Sequence, residues 1–166
     1  MMFRKASALE AEYLTKLTLE SKNYWNYPQE WIKMWTDELT ITAEYIEKNT
    51  VIVAEEDSNI VGYFSIAEES ISHVVELSGN TIVGGFFLDN IFIHPLHIQK
   101  GIGRRLIETA FQWCMENGVE KLYTVSDPNA RGFYEKMGGV CLGELPSSIE
   151  GRCLLFFVFE FMNVLD

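Results

Sequence analysis

The sequence predicts an α/β or α+β fold in which helices flank a sheet. Helical patterns alternate with β-branched and aromatic runs along 166 residues. That length suits one domain with a continuous hydrophobic core. The chain shows no internal repeat, low-complexity tract or linker-like run of proline and serine. We therefore expect residues 1–166 to form a single domain.

The N-terminal part of the chain is predicted to be helical. Residues 7–22 form the first helix, with Ser7 as N-cap and Glu10 completing a capping box. Residues 28–39 form the second, because a proline stands near the start and large apolar residues follow at helical spacing. A third, short helix ends at residue 48, with Thr40 or Thr42 as its cap.

From residue 50 the pattern changes to that of strands. Short β-branched and aromatic runs are separated by turn residues. The predicted strands are 50–54, 60–66, 73–78, 84–93, 122–125, 140–145 and 152–161. Residues 103–117 and 129–137 are predicted to be helices. The order of elements is roughly βαα(α)ββββαβαββ.

The amino-acid composition of the chain disfavours several classes of binding partner. With 13 Lys and Arg against 24 Asp and Glu, the net charge is −11, which disfavours nucleic acids and anionic membranes as partners. The longest wholly apolar run, 153–159, is far shorter than a membrane-spanning helix requires. The three cysteines lack a CxxC pair, which favours free thiols in a reducing cytoplasm. We expect a cytoplasmic protein.

One segment departs from the acidic average. Residues 90–107 contain no Asp or Glu. The same segment carries five basic or titratable side chains, namely Lys100, Arg104, Arg105, His94 and His97. The two histidines lack the spacing and partners of a metal site. The distribution of charge indicates a site for a negatively charged ligand.

The glycines of this segment strengthen that interpretation. A predicted strand ends near Ile93, and Gly101-Ile102-Gly103 then leads into a helix. Glycine allows the backbone to approach a ligand, and the amides of a first helical turn favour a bound anion such as pyrophosphate. A Rossmann turn is excluded because Leu106 occupies the third glycine position.

Two motifs resemble the GNAT superfamily of acetyl-CoA-dependent N-acetyltransferases. Residues 98–103 match Gln/Arg-x-x-Gly-x-Gly/Ala, although Ile98 replaces the first residue. Residues 126–138, Ser-Asp-Pro-Asn-Ala-Arg-Gly-Phe-Tyr-Glu-Lys-Met-Gly, resemble the second motif. Asp127 stands where Asn is commoner and Asn129 follows, so either is a candidate for cofactor contact. Gly139 replaces the usual Phe.

The resemblance implies a GNAT-like fold, with a mixed, mostly antiparallel sheet of six to seven strands. It also implies acetyl-CoA as the acetyl donor and no metal. Its fourth strand would splay from the fifth, so that the pantetheine arm binds that strand's edge. The cofactor-binding residues are then Ile91, Phe92, Ile93, Gln99, Lys100, Gly101, Ile102, Gly103, Arg104 and Asn129.

The chemistry implied is direct attack of an amine on the thioester. Tyr134 matches the family's general acid, which protonates the departing thiolate. Asp89 is the first candidate for general base, and Glu68 and Glu69 are weaker ones. An amide near Ile91 or Phe92 would polarise the thioester carbonyl.

The acceptor is predicted to be a small amine, an amino acid or a peptide amine. In the family the first helices line the acceptor site, and here they are rich in aromatic residues, which attract cations but also fill cores. These residues are Tyr24, Trp25, Tyr27, Trp31 and Trp35, with Asp37, Glu38 and Glu44 nearby. The alternative function is a non-catalytic acyl-CoA-binding or regulatory module. The protein is expected to be a monomer or a homodimer.

Overall fold

The computed structural model describes residues 1–162. In that range the strands are Met2–Lys5 (β1), Thr50–Glu56 (β2), Asn59–Leu77 (β3), Asn80–Ile93 (β4), Lys121–Ser126 (β5), Val140–Pro146 (β6) and Cys153–Glu160 (β7). The α-helices are Ala11–Asn23 (α1), Gln29–Leu39 (α2), Ala43–Lys48 (α3), Ile102–Glu116 (α4) and Arg131–Lys136 (α5). Short 3-10 turns occupy Ala8–Glu10, Pro95–His97 and Pro128–Ala130.

The seven strands form one mixed sheet in the order β1-β2-β3-β4-β5-β7-β6. β1 pairs antiparallel with β2, and β7 pairs antiparallel with both β5 and β6. β4 and β5 are parallel, with Phe86 opposite Leu122 and Phe87 opposite Tyr123. The predicted fold class, a mixed and mostly antiparallel sheet flanked by helices, is confirmed.

The chain divides into two compact units. The first comprises Met1–Ser65 and Asn90–Glu108. Its core contains Leu14, Val53 and Tyr63, all fully buried. The phenol of Tyr63 and the hydroxyl of Thr18 lie 2.5 Å apart, and Thr18 also donates to the carbonyl of Leu14. Burial raises the pKa of Tyr63 well above its ordinary value, so the phenol is neutral inside the core.

The second unit comprises Ile66–Asp89 and 109–162. One of its core clusters is formed by Leu77, Phe87 and Phe156. The rings of Phe87 and Phe156 are 6.3 Å apart, and Tyr123 from β5 stacks on Phe156 at 5.6 Å. Aromatic packing thus joins β4, β5 and β7 within this unit.

The predicted helices are confirmed to within a few residues. Ser7 and Glu10 make the expected capping box, although the first turn is 3-10 and the α-helix starts at Ala11. Of the two candidate caps for the third helix, Thr42 is the one used, because its side chain accepts a hydrogen bond from the amide of Tyr45. Local side-chain chemistry was sufficient to place these ends.

The predicted strands need one correction. The separate strands 60–66 and 73–78 are a single strand, β3, which is 19 residues long. Its residues beyond Ala67 are mostly exposed, so the polar stretch that suggested a break marks a change of environment within the strand. The first strand of the predicted order, which had no bounds, is Met2–Lys5.

Two further findings concern composition. No helix within residues 1–162 is long and apolar enough to cross a membrane. The cysteines are free thiols: Cys114 is buried, Cys141 is half-buried and Cys153 is exposed.

Candidate active site

The glycine turn follows β4 through a short 3-10 turn. The amide of His94 donates to the carbonyl of Val61, which keeps the end of β4 on β3. Gln99 and Gly101 then adopt positive φ angles of 64° and 79°, the region that favours glycine. The first intrahelical bond runs from Arg105 to Gly101, so the amides before Arg105 are the unbonded first-turn donors of α4. These amides can hold an anion.

The residues of this turn differ in how far they are buried. Ile102 is buried and fixes the start of α4, so only its amide is available to a ligand. Gln99, Lys100 and Gly101 are exposed. A Cβ on Gly101 would meet no atom within 4 Å, so glycine is required there by backbone conformation and not by crowding.

The segment that lacks acids in sequence has acids beside it in space. Glu108, one helical turn along α4, accepts from Arg104 at 2.8 Å and raises the pKa of that guanidinium. His94 Nε2 lies 3.4 Å from Glu20, and His97 Nδ1 lies 4.0 Å from Glu56. The positive charge expected from the sequence is therefore partly offset by carboxylates from α1, β2 and α4.

The two histidines have local structural roles. His94 Nδ1 accepts from the amide of Leu96 and so caps the 3-10 turn. The ring of His97 lies 5.8 Å from that of His94. Within residues 1–162, no group of three or more His, Cys, Asp or Glu side chains is placed to hold a metal ion.

Residues 91–93 of β4 are half-buried. The ring of Phe92 packs 6.0 Å from that of Tyr63 and joins the core of the first unit. Its side chain is therefore structural, and a ligand at this strand would meet the backbone. Just before these residues, Asn90 donates to Ser65 at 2.9 Å, and Ser65 is also bonded to the phenol of Tyr45 at 2.9 Å.

Tyr134 lies on α5 and is only 5% exposed. Its ring packs against Phe157 and Phe159 of β7, at centroid distances of 5.6 and 6.1 Å. The phenol is hydrogen-bonded to Thr124 of β5. Because Thr124 donates its own proton to the carbonyl of Leu88, its oxygen accepts from Tyr134.

The environment keeps this phenol neutral. Burial raises the pKa of Tyr134 to about 12, and the carboxylate of Asp127 contributes to the rise. At physiological pH the phenol therefore carries the proton that a general acid needs.

Asp127 and Asn129 have different environments. Asp127 Oδ2 pairs with Arg152 at 2.7 Å, and its Oδ1 accepts from the amide of Asn129 at 2.9 Å. The carboxylate is therefore engaged in holding the Pro128–Ala130 turn. Asn129 itself is exposed, which favours it over Asp127 for contact with a ligand.

The atoms around residue 139 leave no room for a side chain, so glycine is required there. A Cβ at this position would lie 2.9 Å from the carbonyl oxygen of Tyr134 and 3.0 Å from the ring of Phe159. Phe159 thus occupies the space into which a side chain at position 139 would project. This contact explains the departure from the motif at Gly139.

The candidate bases lie on strands of the second unit. Asp89 is exposed on β4, beside the buried Leu88. Glu68 is exposed on β3, and Glu69 lies 4.0 Å from His73. Asp89 lies two residues before the backbone segment 91–93 on the same strand, whereas Glu68 and Glu69 lie on β3.

The aromatic residues near α2 form a cluster that already holds a cation. Tyr27, Trp31 and Trp35 have ring centroids 5.2–6.0 Å apart. The ammonium of Lys22 lies 5.0 Å from the Trp35 ring and 5.5 Å from the Tyr27 ring. Trp35 is buried and belongs to the core, whereas Tyr27 and Trp31 are half-buried. Both interpretations of the cluster, core and cation site, therefore apply to different members.

Sequence reasoning missed several of these partners. Thr124, Arg152 and Lys22 each contact a residue that the motifs identified, but none belongs to a motif. Only Lys22 carried a usable signal, since it stands two residues before Tyr24, the first of the aromatic residues. The other two come from distant positions and are brought in by the pairing of β5 with β7.

Comparisons with known proteins identify the family of the chain. Residues 18–139 match the model of the acetyltransferase (GNAT) family. The chain is 28% identical over 138 residues to the peptidyl-lysine N-acetyltransferase YiaC of Escherichia coli, covering 82% of each protein.

Solved structures show the same fold. A GCN5-related N-acetyltransferase structure from Rhodopseudomonas palustris matches with a TM-score of 0.74 and 17% identity, covering 96% of this chain and 95% of that one. The structure of yncA from Salmonella typhimurium with its cofactor acetyl-CoA matches with a TM-score of 0.65 and 18% identity, covering 98% and 95%.

The family match spans most of the chain and includes both motifs and the strands between them. It makes the protein an enzyme that uses acetyl-CoA as acetyl donor, and it removes the non-catalytic alternative. The chain belongs to the GNAT family of acetyltransferases.

Proposed function

We propose that this acetyltransferase transfers the acetyl group of acetyl-CoA to a primary amine, either a small amine, an amino acid or a peptide amine. The observation that carries the proposal is the buried, neutral phenol of Tyr134, whose pKa burial raises to about 12. The relative YiaC is a peptidyl-lysine N-acetyltransferase, which supports an amine acceptor.

The reaction is a direct displacement. The amine nitrogen attacks the thioester carbonyl carbon, and the carbon–sulfur bond then breaks. The sulfur takes the phenolic proton of Tyr134 as the carbon–sulfur bond breaks, so that it leaves as a thiol, and the proton released by the amine then restores the phenol. The phenol donates to Thr124 in the structure, and rotation about its C–O bond redirects the proton to the sulfur. A backbone amide near Ile91 or Phe92 polarises the carbonyl.

The glycine turn binds the pyrophosphate of acetyl-CoA. The donors are the backbone amides between Gln99 and Arg104, with Lys100 adding positive charge. Residues 91–93 contribute backbone groups to the pantetheine arm, and Asn129 contributes a side-chain contact. In this arrangement the glycines and amides matter more than Arg104, because Glu108 offsets the charge of Arg104.

Asp89 accepts the proton that the amine loses, directly or through water. Its side chain is exposed on β4, so an acceptor amine can approach it from solvent. The position of Lys22 against Trp35 shows the kind of group that the aromatic cluster accommodates, a primary ammonium. The net charge of −11 favours the approach of such acceptors.

The first test concerns the phosphate turn. Gly101→Glu places a carboxylate at the anion site, and we expect the Kd for CoA to rise about tenfold or more, a loss of about 1.4 kcal/mol. Gly118→Glu is the matched control, because Gly118 is also exposed, has a positive φ of 70° and has open space around it. Both variants carry the same backbone strain. Equal CoA affinity in the two, measured by calorimetry, would remove the turn from the cofactor site.

The second test concerns the acid. Tyr134→Phe removes the proton donor but keeps the ring on β7, so we expect kcat to fall about a hundredfold while the Kd for CoA stays within twofold. Because the pKa of Tyr134 is about 12, the wild-type kcat is expected to show no alkaline loss from this group below about pH 10. Undiminished turnover in Tyr134→Phe would eliminate the acid role.

The third test separates the candidate bases. We expect Asp89→Asn to lower kcat/KM about tenfold or more at pH 7, because the amine then lacks its proton acceptor. Glu68→Gln removes an exposed strand carboxylate of the same unit and is expected to have wild-type kinetics. If Glu68→Gln is the variant that loses activity, the assignment passes from Asp89 to Glu68.

The fourth test identifies the acceptor. Free thiol release from acetyl-CoA is followed with a panel of small amines, amino acids and lysine-containing peptides, and products are confirmed by mass spectrometry. We expect turnover with at least one primary amine and none with its N-acetylated form, which lacks a nucleophilic nitrogen. Acetylation of hydroxyl or thiol acceptors alone would contradict the proposal.

A further inference from the structure

Arg152 and Asp127 form a short ion pair in the second unit. Arg152 Nη2 lies 2.7 Å from Asp127 Oδ2, and their side chains are only 13% and 17% exposed. A pair so well removed from water needs both members, because loss of one leaves an uncompensated charge. Neither side chain gives or takes a proton in the proposed reaction, so the role of the ion pair has to be explained separately.

Asp127 holds the turn that leads into α5. Its Oδ1 accepts from the amide of Asn129, and its carbonyl accepts from the amide of Ala130, each at 2.9 Å. The hydroxyl of Ser126 also donates to that carbonyl, at 2.7 Å. The Pro128–Ala130 turn continues directly into Arg131–Lys136. The orientation of Asp127 therefore sets the start of the helix that carries Tyr134.

Arg152 is fixed on the other side of the same structure. Its amide donates to the carbonyl of Ile149 at 3.1 Å, and its carbonyl accepts from the amide of Ser147 at 3.2 Å. Arg152 directly precedes β7, which supplies Phe157 and Phe159 to the ring of Tyr134. The ion pair thus joins the start of α5 to the strand on which Tyr134 packs.

We propose that Arg152 is a positioning residue for Tyr134: by holding Asp127, it fixes the first turn of α5 and hence the place of the phenol on β7. This inference rests on the proposed function, in which Tyr134 is the proton donor. Arg152 acts through Asp127 and not on the reacting atoms.

The groups that face Tyr134 make the effect measurable. The hydroxyl of Thr124 from β5 is hydrogen-bonded to the phenol, and the apolar rings of Phe157 and Phe159 from β7 pack against its ring. The negative charge of Asp127, from the 3-10 turn, contributes to the raised pKa of the phenol. A change in the Asp127–Arg152 pair should therefore reach Tyr134 as a change in both position and ionisation.

The kinetic test uses Arg152→Met. We expect kcat to fall about tenfold or more, towards the level of Tyr134→Phe, while the KM for acetyl-CoA stays within about twofold. Arg152→Lys keeps a cation opposite Asp127 and should recover part of the loss. Arg131→Met is the matched control, because it breaks an Arg–Glu pair of 2.8 Å at the start of α5 that is exposed. We expect wild-type kinetics for that control.

A spectroscopic test reports on Tyr134 without turnover. The NMR signal of Tyr134, labelled with ¹³C at the ring carbon that bears the hydroxyl, is assigned by its absence in Tyr134→Phe. Asp127→Asn keeps an oxygen that can cap Asn129 but removes the charge, so Tyr134 should ionise at lower pH than in the wild type. Arg152→Met should shift the same signal at neutral pH, whereas Arg131→Met should not.

The double variant Asp127→Asn/Arg152→Met covers the case in which Arg152→Met does not fold. It leaves no unpaired buried charge, and we expect it to fold with kcat still lowered because the link to β7 is lost. Wild-type kcat and an unshifted Tyr134 signal in Arg152→Met, or in the double variant, would overturn the positioning role. Full turnover in Tyr134→Phe would overturn the acid role instead, and the NMR shifts would still decide whether Arg152 positions the ring.

Discussion

Polar groups that are removed from water need partners, and this requirement shapes both the core and the candidate active site. In the first unit Tyr63 is paired with Thr18, and in the second Tyr134 is paired with Thr124. A threonine hydroxyl gives each buried phenol a hydrogen-bond partner, and burial keeps both phenols neutral. In the proposed function the phenol of Tyr134 is also the proton donor. Its packing on β7 and its proposed chemistry therefore depend on the same buried position.

The charge distribution follows the same requirement at the surface. The segment without acids along the chain is approached in space by Glu20, Glu56 and Glu108. The Arg104–Glu108 pair is exposed and the two histidine–glutamate pairs are partly exposed, so they contribute little to stability, but the carboxylates reduce the local positive charge. What remains at the turn is a set of backbone amides with Lys100, a directional site for anions. The aromatic cluster shows a parallel effect, since the chain's own Lys22 fills the position of a cation.

Local signals in the sequence were strong where one residue controls one hydrogen bond. Ser7 was identified as a cap, and Thr42 was one of two candidates, because a hydroxyl at a helix start satisfies an amide nearby. The glycine turn was identified because few residues accept the φ angle of Gly101. The prediction failed in β3, where polar residues were interpreted as a break, because exposure and strand ends look alike in a hydrophobic pattern.

The sequence by itself indicated the family, the order of most elements, the glycine turn before α4 and the tyrosine of α5, because the turn and the tyrosine lie within short motifs. Only the tertiary structure decided what those residues contact. In the tertiary structure Asp127 pairs with Arg152 and Asn129 is exposed. The ring of Phe159 occupies the space beside Gly139. Such contacts join positions that strand pairing brings together from distant parts of the chain, and no local pattern encodes a distance between them.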